Sequence, residues 1–284
     1  MSIAPHPPKT VIYAERDTGP LALDLFSPAA PGTRCAVLVL HGGGWRAGAK
    51  EGVHDRAAAL AAAGFTALAV QYRLLGTAPW PAPLEDAASA LAWVRANAGE
   101  LGIDPGRVAV QGHSAGGHIA LMTGTLDPAE RPAAIAAFYP ATGFYPAAPP
   151  APASPGRRPA IGLDELGRVP GWMLFPPGAT AAELDTASPV TLADAGFPPT
   201  VFLHGTADSV LSPRSSIALH ERLVALGVPS DLHVYAGRGH EFDRAPSMTA
   251  ATAAATASFL DQFVTRPAET AEEAGRYPFP AAPR

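Results

Sequence analysis

The feature that most restricts what this chain can fold into is an alternation of short apolar runs with longer amphipathic stretches. Residues 35–40 (CAVLVL), 66–72, 107–111, 134–139, 200–204 and 231–235 read as strands, several of them with no polar face. Between them, residues 52–64, 83–98, 114–125, 213–226 and 248–263 carry apolar side chains at three-to-four spacing over helical lengths. A strand without a polar face has to be covered on both sides. The pattern therefore predicts an α/β protein, a mostly parallel, doubly wound sheet with helices on both faces, joined by right-handed crossovers. Two earlier runs, 10–14 and 21–26, predict an antiparallel entry to that sheet.

One stretch breaks the rhythm. From 145 to 199 the chain is rich in proline and glycine (PAAPPAPASPGRRP, then FPPG), with only short helical hints. A connection of that length is uncommon inside a compact domain unless it covers or forms a binding site. The expected organisation is one domain over 1–284 with a small lid-like insertion at 145–199. The tail RYPFPAAPR reads as an extended terminus.

At 284 residues and 48% hydrophobic, the chain is long enough to bury a core that holds a site rigid. Acidic residues outnumber basic ones, 25 to 20, and Lys and Arg are scattered, which argues against a nucleic-acid partner. No stretch approaches the roughly 18 uninterrupted apolar residues of a membrane span. The N-terminal MSIAPHPPKT has no secretory apolar core, so the expected location is the cytoplasm, with no membrane partner. Lone Cys35 has no cysteine to pair with and reads as a small buried residue. His6, His54, His220 and His233 lack metal-ligand spacing, so no metal is expected. The sequence leaves a homo-oligomer open.

The chemistry concentrates at strand ends. Gly112-His113-Ser114-Ala115-Gly116 follows the strand 107–111 and opens a helical pattern. A turn this tight has no room for side chains at its flanks, and it exposes Ser114 above the sheet edge as a candidate nucleophile. A serine hydroxyl needs an imidazole to take its proton, and the imidazole needs a carboxylate to fix its tautomer. Both follow in chain order. Asp208 lies in HGTAD after the strand 200–204, and His240 lies in GRGHEF after the strand 231–235. Glu241 and Asp243 adjoin that histidine and read as capping or solvating the segment that follows, while Asp185 and Asp194 precede the right strand.

A fourth part is His41-Gly42-Gly43-Gly44-Trp45, directly after the first core strand. Bare glycine amides can approach a substrate oxygen without a β-carbon in the way. Gly43, Gly44 and the Ala115 amide at the helix start are therefore the candidate oxyanion hole, with His41 bracing the loop. His113 and His204 are expected to pack or hydrogen-bond beneath the motifs, and His118 to face its own helix surroundings. Trp45, Trp80, Phe144 and Trp172 fall in loops on the same side and are candidates for the substrate pocket.

In this order and spacing, HGGGW, GHSAGGH, HGTAD and GRGHEF resemble the α/β-hydrolase superfamily. With LALDLFSP near the start and ASPVTL ahead of the acid's strand, the chain is similar to the hormone-sensitive-lipase-like esterases and the related bacterial feruloyl and acetyl esterases, over about residues 11–264. The resemblance implies an α/β-hydrolase fold and a serine carboxylesterase without cofactor, acting on a small-molecule ester of the short-chain or aromatic type through an acyl-enzyme. Two departures qualify it. The N-terminal helices that cap the larger enzymes are not found ahead of residue 35, and the tryptophan ending HGGGW resembles the arylformamidases, which keeps an aryl amide open as substrate. Prolyl-oligopeptidase-type peptidases share the order of serine, aspartate and histidine but usually carry a large partner domain with no counterpart here.

Overall fold

The computed structural model describes residues 8–29, 32–149 and 163–276. Strands β1 (Lys9–Arg16) and β2 (Gly19–Phe26) form a hairpin, followed by β3 (Ala36–Leu40), α1 (His54–Ala62), β4 (Thr66–Val70), α2 (Ala82–Ala96) and α3 (Ala98–Leu101). Next come β5 (Val108–His113), α4 (Ala115–Thr123), β6 (Ile135–Phe138), the two-residue strands β7 (Phe144–Tyr145) and β8 (Val169–Pro170), α5 (Ala181–Asp185) and α6 (Pro189–Leu192). The chain closes with β9 (Thr200–Gly205), α7 (Pro213–Ala225), β10 (Ser230–Tyr235), α8 (Pro246–Leu260) and α9 (Pro267–Arg276).

Eight strands form one sheet in the order β1-β2-β4-β3-β5-β6-β9-β10. β2 pairs antiparallel with β1 and with β4, and every pairing from β4 to β10 is parallel, as the two early runs and the later alternation predict. All five residues of β3 and of β4 are buried. Their alternate side chains explain why. Leu38, Leu40, Leu68 and Val70 pack with Ala90 and Leu91 of α2, Ile119 of α4 and Leu219 of α7. Val37, Val39, Ala67 and Ala69 pack on the other face with Ala57 and Leu60 of α1 and Phe259 of α8. Each apolar strand thus has its two helical covers.

The register sets where chemistry can sit. Leu40 pairs with Gly112, His113 with Phe138, Phe138 with Leu203, and Gly205 with Tyr235. The C-terminal ends of β3, β5, β6, β9 and β10 therefore line up along one edge. The chain runs outward from β3 to β4 and then returns to place β5 on the other side of β3. A crevice opens at such a reversal, and the loops after β3 and β5 border it.

The stretch expected as an insertion contributes β8, α5 and α6, while its residues 150–162 lie outside the described residues. Phe144 pairs with Val169 in a small parallel sheet that brings its two arms together. Of the expected extended tail, residues 277–284 also lie outside the described residues, and the chain ahead of them is helical to Arg276. Among the described residues, no helix is long and apolar enough to cross a membrane.

Candidate active site

The turn from β5 into α4 is built on contact between backbones. A Cβ on Gly112 would lie 2.0 Å from the carbonyl oxygen of Gly116, and one on Gly116 would lie 2.5 Å from that of Leu40 in β3. Ser114 itself is held at φ 55°, ψ −116°, a conformation that side chains rarely adopt. Strain of this kind gathers here. Of the five described non-glycine residues with positive φ, Trp45, Ser114, Tyr139 and Glu241 stand at the strand ends of this edge. Such conformations persist only where surrounding contacts over-determine them.

Ser114, His240 and Asp208 meet across three loops. The Ser114 hydroxyl lies 2.9 Å from Nε2 of His240, and Nδ1–H of His240 donates to Oδ2 of Asp208 at 2.7 Å. Donation to a carboxylate through Nδ1 leaves Nε2 free to accept the serine proton. Asp208 has no exposed side-chain surface, whereas the His240 side chain keeps 15% of its own. Burial pushes the Asp208 carboxyl up, but the hydrogen bonds from His204 and His240, the nearby His240 charge and the Leu211 amide outweigh it and hold the group far below the usual carboxylate range. Asp208 Oδ1 accepts from the amides of Val210 and Leu211 at 2.8 and 2.9 Å. His204, fully buried beneath, donates from Nε2 to the Leu211 carbonyl and lies 3.3 Å from Asp208 Oδ2.

The glycine loop lies against the serine turn. A Cβ on Gly42 would stand 3.2 Å from Cβ of Ser114, and Gly43 turns at φ +124°. Among the described residues, the amides of Gly43, Gly44 and Ala115 donate to no protein acceptor, and the Ala115 amide opens α4. His41 is buried, stacks on Tyr72 at 4.2 Å and donates from Nδ1 to the Gly42 carbonyl. It braces the loop, and burial lowers its pKa.

Three of the four candidate pocket aromatics gather around His118. The rings of Trp45, Trp80 and Phe144 lie 5.3, 5.1 and 5.3 Å from its imidazole. Trp45 and Phe144 are each 2% exposed, so they form a closed wall beside the glycine loop, while Trp80 is half-buried. Trp172 makes none of these ring contacts; it is half-buried in the turn Gly171–Met173, whose Met173 carbonyl accepts from Arg46 at 3.4 Å. His118 is not simply facing its helix. It accepts from Nε1 of Trp45 at 3.1 Å and donates to the Ala187 carbonyl at 2.8 Å, and burial pushes its pKa down to about 4.

Asp243 departs from the sequence expectation more sharply. It neither caps nor solvates the next segment. Its carboxylate is fully buried and accepts from Arg56 Nε at 2.8 Å, His113 Nδ1 at 3.0 Å and the Tyr139 hydroxyl at 2.5 Å. No spacing rule exposes this, since Arg56 lies in α1, far away in the chain. Glu241, its neighbour, pairs with Arg244 at the surface. Among the described residues, no cluster of three or more histidine, cysteine or carboxylate side chains is placed to hold a metal ion.

The sequence profile of the alpha/beta hydrolase fold family matches residues 37–244. The chain is 33% identical over 205 residues to the carboxylesterase NlhH of Mycobacterium tuberculosis, covering 69% of this chain and 62% of that one. It is 32% identical over 259 residues to LipM of the same organism, a probable carboxylic ester hydrolase, covering 88% of this chain and 58% of that one. The chain therefore spans less than two thirds of the length of these curated relatives. Among solved structures it resembles the thermophilic esterase Est2 of Thermogutta terrifontis, with a TM-score of 0.71 at 25% identity over 92% of this chain and 95% of that one.

Proposed function

The chain belongs to the alpha/beta hydrolase fold family, and on that premise we propose that it is a serine carboxylesterase whose triad is Ser114, His240 and Asp208, acting on short-chain or aromatic esters of the acetyl or feruloyl type. The observation that carries the reading is the unbroken line from the Ser114 hydroxyl through His240 to Asp208, at 2.9 and 2.7 Å, beside three backbone amides that donate to no acceptor among the described residues. The esterase names of NlhH and LipM support the same class of reaction.

In this reading His240 takes the serine proton as Ser114 Oγ attacks the ester carbonyl. Asp208 stabilises the resulting imidazolium without accepting its proton, which suits a carboxylate held far below its ordinary range. The oxygen that gains charge meets the amides of Gly43, Gly44 and Ala115, where each fixed donor contributes on the order of a hundredfold or more in rate. His240 then protonates the departing alcohol. Water, activated by the same histidine, attacks the acyl-enzyme and frees Ser114. Trp45, His118 and Phe144 pack into one closed aromatic wall that supports the glycine loop.

The test is a kinetic panel of p-nitrophenyl acetate, butyrate and octanoate, methyl ferulate, N-formylkynurenine and a prolyl-peptide anilide, each with Ser114→Ala as control. Turnover of the short or feruloyl esters should fall by several orders of magnitude in Ser114→Ala, with the fold intact by circular dichroism. Equal rates in the two proteins would remove the triad assignment. A preference for the formamide or the anilide would replace the esterase with an amide hydrolase.

A further inference from the structure

Directly beneath the triad lies a second anionic group that takes no part in the proton relay described above. Asp243 is fully buried, and its two oxygens gather donors from three other parts of the chain: Arg56 on α1, His113 at the end of β5, and Tyr139 at the end of β6. His113 immediately precedes Ser114. Tyr139 presents its ring to the imidazole of His240, centroid to centroid 4.6 Å at 60°. Asp243 itself sits three residues after His240, where Glu241 at φ 55° turns the chain sharply inward. One carboxylate thus touches the nucleophile's strand, the wall of the histidine and the histidine's own loop.

Stability alone is a weak reason for this arrangement. A buried ion pair is weak evidence for stability, because well-packed apolar residues of similar volume often serve as well or better. What a multiply held carboxylate does supply is one defined geometry. Burial raises the Asp243 carboxyl, yet His113 and Arg56 outweigh it, so the anion persists at neutral pH and draws all three donors inward. Ahead of the histidine, the loop that carries His240 is tied to the loop after β9, where the Ala207 amide donates to the Arg238 carbonyl at 2.9 Å and the Gly237 amide to the Thr206 hydroxyl at 2.8 Å. Its residues 236–238 are exposed, and beyond His240 the fixed points are Asp243 and the Phe242 ring, which lies 5.9 Å from Tyr139.

Resting on the triad reading, we propose that Asp243 is a positioning residue: with Arg56, His113 and Tyr139 it ties the His240 loop to the strand ends of Ser114 and Tyr139 and keeps Nε2 within hydrogen-bonding reach of the serine. Loosening it should leave the binding surface unchanged but let the imidazole wander, so proton transfer suffers while substrate affinity does not. The loss should be greatest for alkyl esters, whose leaving alcohol needs a proton from His240, and smaller for p-nitrophenyl esters, whose leaving group does not.

The experiment compares wild type, Asp243→Asn, Tyr139→Phe and Ser114→Ala on p-nitrophenyl acetate and an alkyl acetate, with thermal unfolding followed in parallel. In folded Asp243→Asn, kcat/KM should drop on the order of tenfold or more and the drop should be larger for the alkyl ester, because kcat/KM reports acylation, the step in which the alcohol leaves, whereas both acetates share one acetyl-enzyme. Unchanged kcat/KM, or equal losses of kcat/KM on both esters, in a folded variant would overturn the proposal. Should Asp243→Asn not fold, Tyr139→Phe decides. It keeps the ring against His240 and removes one donor, so a selective loss on the alkyl ester supports the role and full activity refutes it. Activity persisting in Ser114→Ala would instead bring down the triad reading, and this proposal with it.

Discussion

Each functional side chain at this edge is held by a partner that the chain supplies from elsewhere. Asp208 has two: its loop amides hold one oxygen, while His240 takes the other with His204 alongside. Asp208→Asn keeps the shape but places an amide where Nδ1–H must donate, which favours the wrong imidazole tautomer. We expect kcat to fall on the order of 10³- to 10⁴-fold with the fold retained, measured by steady-state kinetics beside circular dichroism. Glu241→Gln is the comparison, since that carboxylate pairs with Arg244 at the surface, and its activity should stay within about twofold of wild type. A severe loss in Glu241→Gln with a mild one in Asp208→Asn would reassign the acid. The meeting of Ser114, Asp208 and His240 was legible because each follows a strand in a short glycine-bearing motif. Asp243 was not, because its meaning lies in Arg56 and Tyr139, and a buried ion pair between distant segments leaves no local pattern in the chain.

At the scale of elements, the strands and helices follow from the apolar alternation, and their boundaries shift by only a few residues. The run 66–72 ends as a strand at Val70; the Gln71 amide still donates to the Ala22 carbonyl of β2, but Tyr72 turns to support the glycine loop, where its hydroxyl donates to the His41 carbonyl at 2.7 Å. What the alternation cannot convey is how closely elements approach. α4 lies against β3 with so little room that a Cβ on Gly116 would sit 2.4 Å from the His41 carbonyl oxygen. Neither backbone can yield without moving the sheet. Gly116→Ala should therefore destabilise by about 1–3 kcal/mol or more and displace the Ala115 amide from the proposed oxyanion hole. Gly99→Ala in α3, where a Cβ meets nothing within 4 Å, should be neutral or slightly stabilising. Chemical denaturation of both variants checks the contrast. Equal stability would mean that the helix is free to slide, and the explanation of the glycine would fail.

For the molecule as a whole, the acid side of the stability curve follows from groups that the fold keeps in one charge state. His118 is held neutral by burial among Trp45, Trp80 and Phe144, with its pKa pushed down to about 4 against an unfolded value near 6.5. Between those two values the unfolded chain takes up a proton that the folded protein refuses, so stability is lost as pH falls across that window, by about 3 kcal/mol. Asp208 and Asp243 act lower. Their folded pKa values are depressed, so their contribution is complete above about pH 4 and is lost only as pH falls through the folded values. The decline should therefore come in two stages, a histidine stage from about pH 6.5 to 4 and a carboxylate stage below it. His118→Leu isolates the first. It loses the bonds to Trp45 and Ala187 at every pH, which offsets its stability by a constant, but it has no proton to take up. Urea unfolding of both proteins from pH 7 to 4 should show the wild type's advantage shrinking by about 3 kcal/mol as the pH falls. An advantage that stays constant across the window would mean that His118 is protonated inside the fold, and with it that the hydrogen bond from Trp45 to its Nδ1 is not made.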